Sequence, residues 1–125
     1  MMNPKITMGL RILFGLFCLF FGINKFAGFL EFPPIPGDGG TLMGIYATSG
    51  FMKIIGILEI LGGLMLIVGK YVPLALTLMI AIMFNAAVFH GLHEPATIAG
   101  SLIGLLLGLI LVYAYKDRFS SLLSA

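Results

Sequence analysis

Charge is the property in which this sequence is poorest. Of its 125 residues, 10% are Asp, Glu, Lys or Arg, whereas 60% are hydrophobic. A water-soluble domain typically has about a quarter charged residues. Because so little polar surface cannot cover a globule in water, we expect residues 1–125 to form a single small domain embedded in a lipid bilayer.

Cysteine is scarce as well. The one cysteine, Cys18, lies inside an apolar run, which excludes an intramolecular disulfide and a dithiol redox motif. We expect Cys18 to pack as a small hydrophobic side chain. The basic residues are scattered near segment ends and leave a formal net charge of only +2. Nucleic acid is therefore not an expected partner, because it requires a clustered basic face.

Motifs for tightly bound cofactors are also missing. There is no Gly-rich phosphate loop, no cysteine cluster for iron and sulfur, and no Ser/His/Asp set. His90, His93 and Glu94 could share a helix face, but they lack the H-E-x-x-H order of zinc proteases, so no metal site is predicted. Both histidines lie near one membrane edge, which disfavours a bis-histidine haem. Any redox chemistry would need a diffusible or partner-bound cofactor, whose identity stays unknown.

What the chain does contain is four apolar segments, at about 6–29, 52–68, 72–89 and 96–115. Each approaches the roughly 17–25 residues that cross a bilayer as a helix. None shows the period-two alternation of barrel strands. Because the last two turns, "GKY" and "GLHEP", are tight, the sequence predicts an all-α membrane protein built as an antiparallel four-helix bundle. The loop 30–51 begins with prolines and glycines, and 41–46 could form a short interfacial helix.

The basic residues predict how the bundle is oriented. Cytoplasmic loops of membrane proteins carry an excess of Lys and Arg. With four spans, one side collects most of the basic residues, so we predict that this side and both termini are cytoplasmic. These residues are Lys5, Arg11, Lys70, Lys116 and Arg118. The outer side would hold Glu31, Asp38 and Glu94, flanked by Lys25 and Lys53.

Small residues predict which helix faces meet, since lipid offers no hydrophobic force that drives helices together. Span one carries Gly15, Cys18 and Gly22 on one stripe, and span two carries Gly56, Glu59 and Gly63 with similar spacing. Span three offers Ala81 and Asn85. Span four offers Gly100, Gly104 and Gly108, which predict close packing within the chain or, alternatively, a contact between two copies of it.

A layer of polar residues is predicted in the outer half of the membrane. At about 1.5 Å per residue from Met52, Glu59 lies roughly 10 Å below the outer surface of the hydrocarbon. An ionisable residue at such a depth generally marks a functional site. The other members of this layer are Asn24, Lys25, Asn85 and His90.

Two interpretations of Glu59 stay open: it forms part of a ligand or proton site, or it forms a hydrogen bond with Asn85 that fixes the register of two helices. Its protonation state is open too, because burial favours the neutral carboxyl group whereas Lys25 or water would favour the carboxylate.

Three stretches together resemble the bacterial DoxX and DoxX-like membrane proteins. They are "FGLFCLFFGINKF" (14–26), "GILEILGGLMLIVGKYVPLAL" (56–76) and "NAAVFH" (85–90). The resemblance covers about 11–115 and implies a compact four-helix bundle in the bacterial inner membrane. It also implies an association with quinol-linked oxidoreductase complexes, although most members have no assigned activity. Ala81 stands where many members have proline.

Three functions are therefore considered. In the leading hypothesis the protein is a redox-associated subunit that binds a quinone-like molecule, with Glu59 as the proton-active residue. Asn24 and Asn85 would hydrogen-bond the ring oxygens, and Lys25 or His90 would line the mouth of the site. The alternatives are a non-enzymatic scaffold or assembly factor for an oxidoreductase partner, and a small-molecule transporter. The last would require oligomerisation, because four spans leave little room for alternating access.

Overall fold

The computed structural model describes residues 2–28 and 34–124, and in these ranges the chain is helical with no strand. Within these ranges six α-helices follow one another, with a single 3₁₀ turn at Pro95–Thr97 before the fifth. They are α1 (Pro4–Ala27), α2 (Gly37–Thr48), α3 (Phe51–Val68), α4 (Val72–His93), α5 (Ala99–Ala114) and α6 (Lys116–Leu123). Glu31, which was placed on the outer side, lies outside the described residues.

The ends of α1 show how the sequence encodes a helix. The side chain of Asn3 accepts a hydrogen bond of 2.8 Å from the backbone N–H of Lys5, which satisfies one of the free donors of the first turn. Pro4 follows at a position where its missing N–H costs nothing. At the other end Gly28 has φ of 66°, a left-handed conformation that glycine adopts without strain, and its N–H bonds to the carbonyl of Asn24.

Three helices, α1, α3 and α4, are long and apolar enough to cross a membrane. They confirm the first three predicted spans. Helix α5 has 16 residues, or about 24 Å, which is somewhat short for a hydrocarbon core of about 30 Å. It passes as a fourth span only together with α6, from which it is bent by 87°. The sequence analysis did not predict α6, and α2 is longer than the interfacial helix expected at 41–46.

Helices α1 and α3 make the most extensive contact in the described part of the chain. A Cβ placed on Gly22 would lie 2.8 Å from the carbonyl oxygen of Gly56, and one on Gly15 would lie 2.8 Å from that of Gly63. The two backbones therefore touch at both ends of a glycine stripe, as the spacing of the small residues predicted.

The four longest apolar helices contact one another in a closed order: α1 with α3, α3 with α4, α4 with α5, and α5 with α1. A Cβ on Gly104 would lie 2.8 Å from the sulfur of Met83 and from the ring of Phe17. Gly108 similarly faces Ile80. Gly104 and Gly108 thus pack against other helices of the same chain, whereas Gly100 has open space next to it. The buried core lies where the four helices meet and includes Phe14, Cys18, Leu66, Leu76, Met79 and Leu111.

The packing face predicted for α4 is wrong. Ala81 and Asn85 are both exposed. The buried residues of this helix instead all lie within its first twelve residues, and they are Val72, Ala75, Leu76, Met79 and Met83. The reason is that the part of α4 after Met83 mainly lines a cavity, and its last residue, His93, packs on α2.

The glycine contact predicts that Gly22→Ala destabilises the protein. The added methyl group would meet the backbone of α3, which cannot rotate away as a side chain can, so we expect the free energy of unfolding to fall by about 1–3 kcal/mol. The measurement is an SDS titration of the protein in mixed micelles. Gly9→Ala is the matched control on the same helix, because apart from its chain neighbours and its own helix backbone no described atom lies within 4 Å of its added methyl group. It should leave stability unchanged or raise it by up to about 1 kcal/mol. Equal effects of the two substitutions would contradict the prediction.

Candidate functional site

An ion pair lies at the end of the α1–α3 contact where α1 ends and α3 begins. Glu59 is 2% exposed, and its Oε1 lies 2.5 Å from the Nζ of Lys25. Lys25 comes from the last turn of α1, and Glu59 lies one turn after Gly56 on the stripe of α3 that faces α1. The inward direction predicted for Glu59 is therefore found, and the residue it contacts is Lys25.

The pair makes the burial of both charges tolerable. A carboxylate in a membrane interior is costly unless an opposite charge compensates it. In the described part of the chain no hydrogen bond to Oε1 of Glu59 accompanies the ion pair. The described residues also contain no hydrogen bond between Glu59 and Asn85. Lys25, whose side chain is 19% exposed, also donates to the carbonyl oxygen of Phe21 at 3.5 Å. The interhelical tie that Glu59 makes therefore runs to α1.

A cavity of about 830 Å³ opens beside this ion pair. Its volume lies in the range of small-molecule sites, which are mostly apolar with a few well-placed polar groups. Aromatic and aliphatic side chains such as Phe17, Phe21, Ile82 and Phe89 form much of its wall. The polar residues that line it include Lys25, Glu59, Asn85, His90, Thr97 and Ser101.

Helix α2 covers part of the cavity. Gly39 is packed so tightly on α4 that a Cβ there would lie 2.6 Å from the Cβ of His93. At the other end of α2, the ring of Tyr46 stacks on that of Phe51, with 5.0 Å between the ring centroids. The segment between these two contacts contributes Met43 to the cavity wall. The loop 30–51, in which a short helix was predicted only at 41–46, therefore supplies a wall of the site.

Four of the five predicted site residues line this cavity: Lys25, Glu59, Asn85 and His90. Asn85 is exposed and lines it, and the described residues show no hydrogen bond from its side-chain amide. The fifth residue, Asn24, is 8% exposed and lines a smaller neighbouring pocket instead.

His90 is fixed by a neighbour across the turn between α4 and α5. Its Nδ1 lies 2.8 Å from the hydroxyl oxygen of Thr97, so Nε2 is the ring nitrogen that remains for other partners. Within residues 2–28 and 34–124 no group of three His, Cys, Asp or Glu side chains is arranged to hold a metal ion.

The sequence analysis missed Thr97 and Ser101. Thr97 binds His90, and Ser101 lines the cavity from α5, where its hydroxyl donates to the carbonyl of Ile98. The signal that could have found Ser101 is its spacing: it stands three residues before Gly104, on the face that α5 turns toward α1 and α4. Thr97 had no such signal, because its role depends on the path of the turn.

The ion pair predicts that Lys25→Met is strongly destabilising. It leaves the Glu59 carboxylate buried without its partner, which costs about 3–5 kcal/mol in other buried pairs. The double substitution Lys25→Met/Glu59→Leu should recover most of this loss, because no uncompensated charge remains. SDS titration of the single and double variants measures both effects. The control is Lys53→Met at an exposed position, expected to change stability by less than about 0.5 kcal/mol. A loss no larger than that of the control would show that the pair does not stabilise the fold.

Comparison with known proteins identifies the family. No curated protein and no solved structure shows significant similarity to the chain. Residues 10–114, which include the ion pair, Asn85 and His90, match the profile of the DoxX-like family. The match confirms the resemblance noted in the sequence and agrees with helices long and apolar enough to cross a membrane. The chain is a membrane protein that belongs to the DoxX-like family.

Proposed function

We propose that the protein binds a quinone-like molecule in the cavity beside Glu59, as a redox-associated subunit of the bacterial inner membrane that acts with an oxidoreductase partner. The observation that carries this proposal is the cavity itself: about 830 Å³, largely apolar, with a buried ion pair in its wall. A lipid-soluble molecule with a flat ring and two polar oxygens matches such a site in both respects.

The polar residues suggest how the ring oxygens would be held. Each oxygen needs a hydrogen-bond donor, because an unpaired carbonyl in an apolar site loses its hydration without compensation. The Lys25 ammonium on α1 and the Asn85 amide on α4 are two such donors, on different helices around the cavity. His90 offers its Nε2 at the end of α4. Asn24, which the sequence analysis assigned to the ring oxygens, lies in the neighbouring pocket and is not included.

Glu59 supports this arrangement through its ion pair with Lys25. It is almost fully buried, and Lys25 is the more exposed member of the pair. We propose that Lys25 contacts the ligand, while Glu59 holds the ammonium in place and exchanges the proton that accompanies reduction or oxidation. A buried carboxyl group can serve either as proton donor or as acceptor, depending on its partner.

This function predicts that the purified protein binds decylubiquinone in mild detergent. Asn85→Leu removes one donor and should weaken binding by about tenfold, which corresponds to about 1.4 kcal/mol. Equilibrium dialysis measures the affinity, and solvent extraction of the freshly purified protein shows whether a native quinone is retained. Thr77→Val is the control on α4: Thr77 is exposed and donates to the carbonyl of Pro73 within its own helix, so the affinity should not change.

The Glu59→Gln variant distinguishes quinone binding from the second candidate function, which is a scaffold or assembly factor. If neither the wild type nor Glu59→Gln binds decylubiquinone or retains a native quinone, the quinone hypothesis fails.

The second candidate is a non-enzymatic scaffold or assembly factor. The observation that favours it is that the Lys25–Glu59 pair ties α1 to α3 without any ligand. A scaffold needs the pair only for stability. The scaffold hypothesis therefore predicts that Glu59→Gln still supports assembly of the partner complex without binding quinone, and that Glu59→Leu fails to support assembly. Native gel electrophoresis of the membrane complexes separates these outcomes.

For the architecture, we propose an antiparallel bundle of four spans with both termini in the cytoplasm. Two observations support it. Contacts between α1 and α3 run in opposite order along the two helices, from Gly15 with Gly63 to Gly22 with Gly56. Five of the seven basic residues also collect near one end, in line with the excess of Lys and Arg in cytoplasmic loops.

The architecture predicts that a fluorescent protein fused to either terminus matures in the cytoplasm. Alkaline phosphatase, which is active only after export, should be inactive at both termini and active when inserted after Ser49, between α2 and α3. Reporter activity in intact bacterial cells is the measurement. A terminus at which the phosphatase is active would overturn the proposed orientation.

A further inference from the structure

A smaller pocket of about 280 Å³ adjoins the cavity. Most of its lining is shared with the cavity, so the two spaces are separated by one thin layer of side chains. The shared residues are Phe21, Lys25, Met43, Ala47 and Met52. Lys25 is the charged member of this layer, which means that a single ammonium borders both spaces. Asn24 and Lys53 line the small pocket but not the cavity.

The small pocket lies where α1 ends and α3 begins. Lys53, the third residue of α3, is exposed. Asn24, in the last turn of α1, is buried, with 8% of its surface exposed. The pocket therefore leads from an exposed charged side chain to a buried amide and the ion pair. A water molecule occupies about 30 Å³ and needs two to four polar partners, so several waters fit here and find such partners.

We propose that this small pocket is a water-filled passage through which the Lys25–Glu59 pair exchanges protons with the aqueous phase, separate from the cavity that holds the ligand. Only the position of the ligand rests on the proposed function. A charged pair inside a membrane exchanges protons with the aqueous phase through water that reaches it. A proton taken up by the pair comes from hydronium in the passage, which leaves as water, and the reverse step returns it.

The separate roles of the small pocket and the cavity follow from the position of Lys25. Its ammonium borders the ligand in one space and water in the other, so a proton can reach a bound ligand without the ligand leaving the cavity. The occupied cavity then excludes water from the ligand, which prevents side reactions and strengthens the electrostatic contact with Lys25.

Two substitutions with matched burial test the proposal. Asn24 and Ser101 are each 8% exposed, but Asn24 lines only the small pocket and Ser101 only the cavity. Asn24→Cys and Ser101→Cys are treated with sulfonatoethyl methanethiosulfonate, an anionic reagent that does not cross membranes and reacts with thiolates formed in water. Vesicles of known orientation are used, and modification is read by intact-mass spectrometry. Cys18, which is 0% exposed, is the internal control in every sample.

We expect Asn24→Cys to react from the α3 N-terminal side on the order of tenfold faster than Cys18, because only a hydrated thiol ionises readily. Excess decylubiquinone should slow the reaction of Ser101→Cys and leave that of Asn24→Cys unchanged. The proposal is overturned if the folded Asn24→Cys protein does not react, or if decylubiquinone protects Asn24→Cys to the same extent as Ser101→Cys. If decylubiquinone protects neither while Asn24→Cys reacts, the passage stands and the quinone hypothesis fails.

A measurement on the wild type covers the case in which Asn24→Cys does not fold. With ¹³C-methyl methionine and excess decylubiquinone, NMR should show magnetisation transfer from water to the methyl group of Met52, which borders both spaces. The quinone displaces water from the cavity, so the remaining transfer reports on the small pocket. Met79, which is 0% exposed in the core, should show none. Absence of the water signal at Met52 overturns the proposal.

Discussion

The close approach of α1 and α3 is the constraint on which the rest of the structure depends. Gly22 and Gly56 let the two backbones touch, and Lys25 and Glu59 meet within the same turn of each helix. A larger residue at either glycine would separate the backbones and stretch the ion pair, and a separated pair leaves a charge buried in an apolar medium. Glycine packing and ion pairing therefore reinforce each other, and neither is a separate contribution to stability.

The cavity arises because the same tight packing does not extend to the second half of α4. This helix has no glycine between Val72 and His90, and its buried residues end at Met83. In lipid, helices pack closely where small residues permit it, so the second half of α4 stands apart and leaves an opening. Helix α2 covers part of that opening through Gly39, which packs on His93. The ion pair thus lies at the boundary between the tightly packed core and an open, partly polar space.

Much of this arrangement could be read from residue spacing. The glycines of α1 and α3 predicted both packing faces correctly, and with them the inward direction of Glu59. The same reasoning failed for α4, where Ala81 and Asn85 are exposed, because a small or polar residue marks a contact only if another helix lies opposite it. Helix α6 was missed because eight residues with two basic side chains do not extend an apolar run; a bend of 87° and the burial of Phe119 define it only in three dimensions.

Composition and periodicity are local properties, so the sequence alone determined that the chain lies in a membrane, that α1 and α3 meet along their glycines, and that a carboxylate faces the interior. Only the tertiary structure decided which group compensates that carboxylate: Lys25 rather than Asn85. It also decided that Asn24 and Asn85 line different spaces on the two sides of Lys25. The physical reason is that partner choice depends on the rotation of each helix about its axis and on the path of α2, and both are set by packing between segments that are distant along the chain.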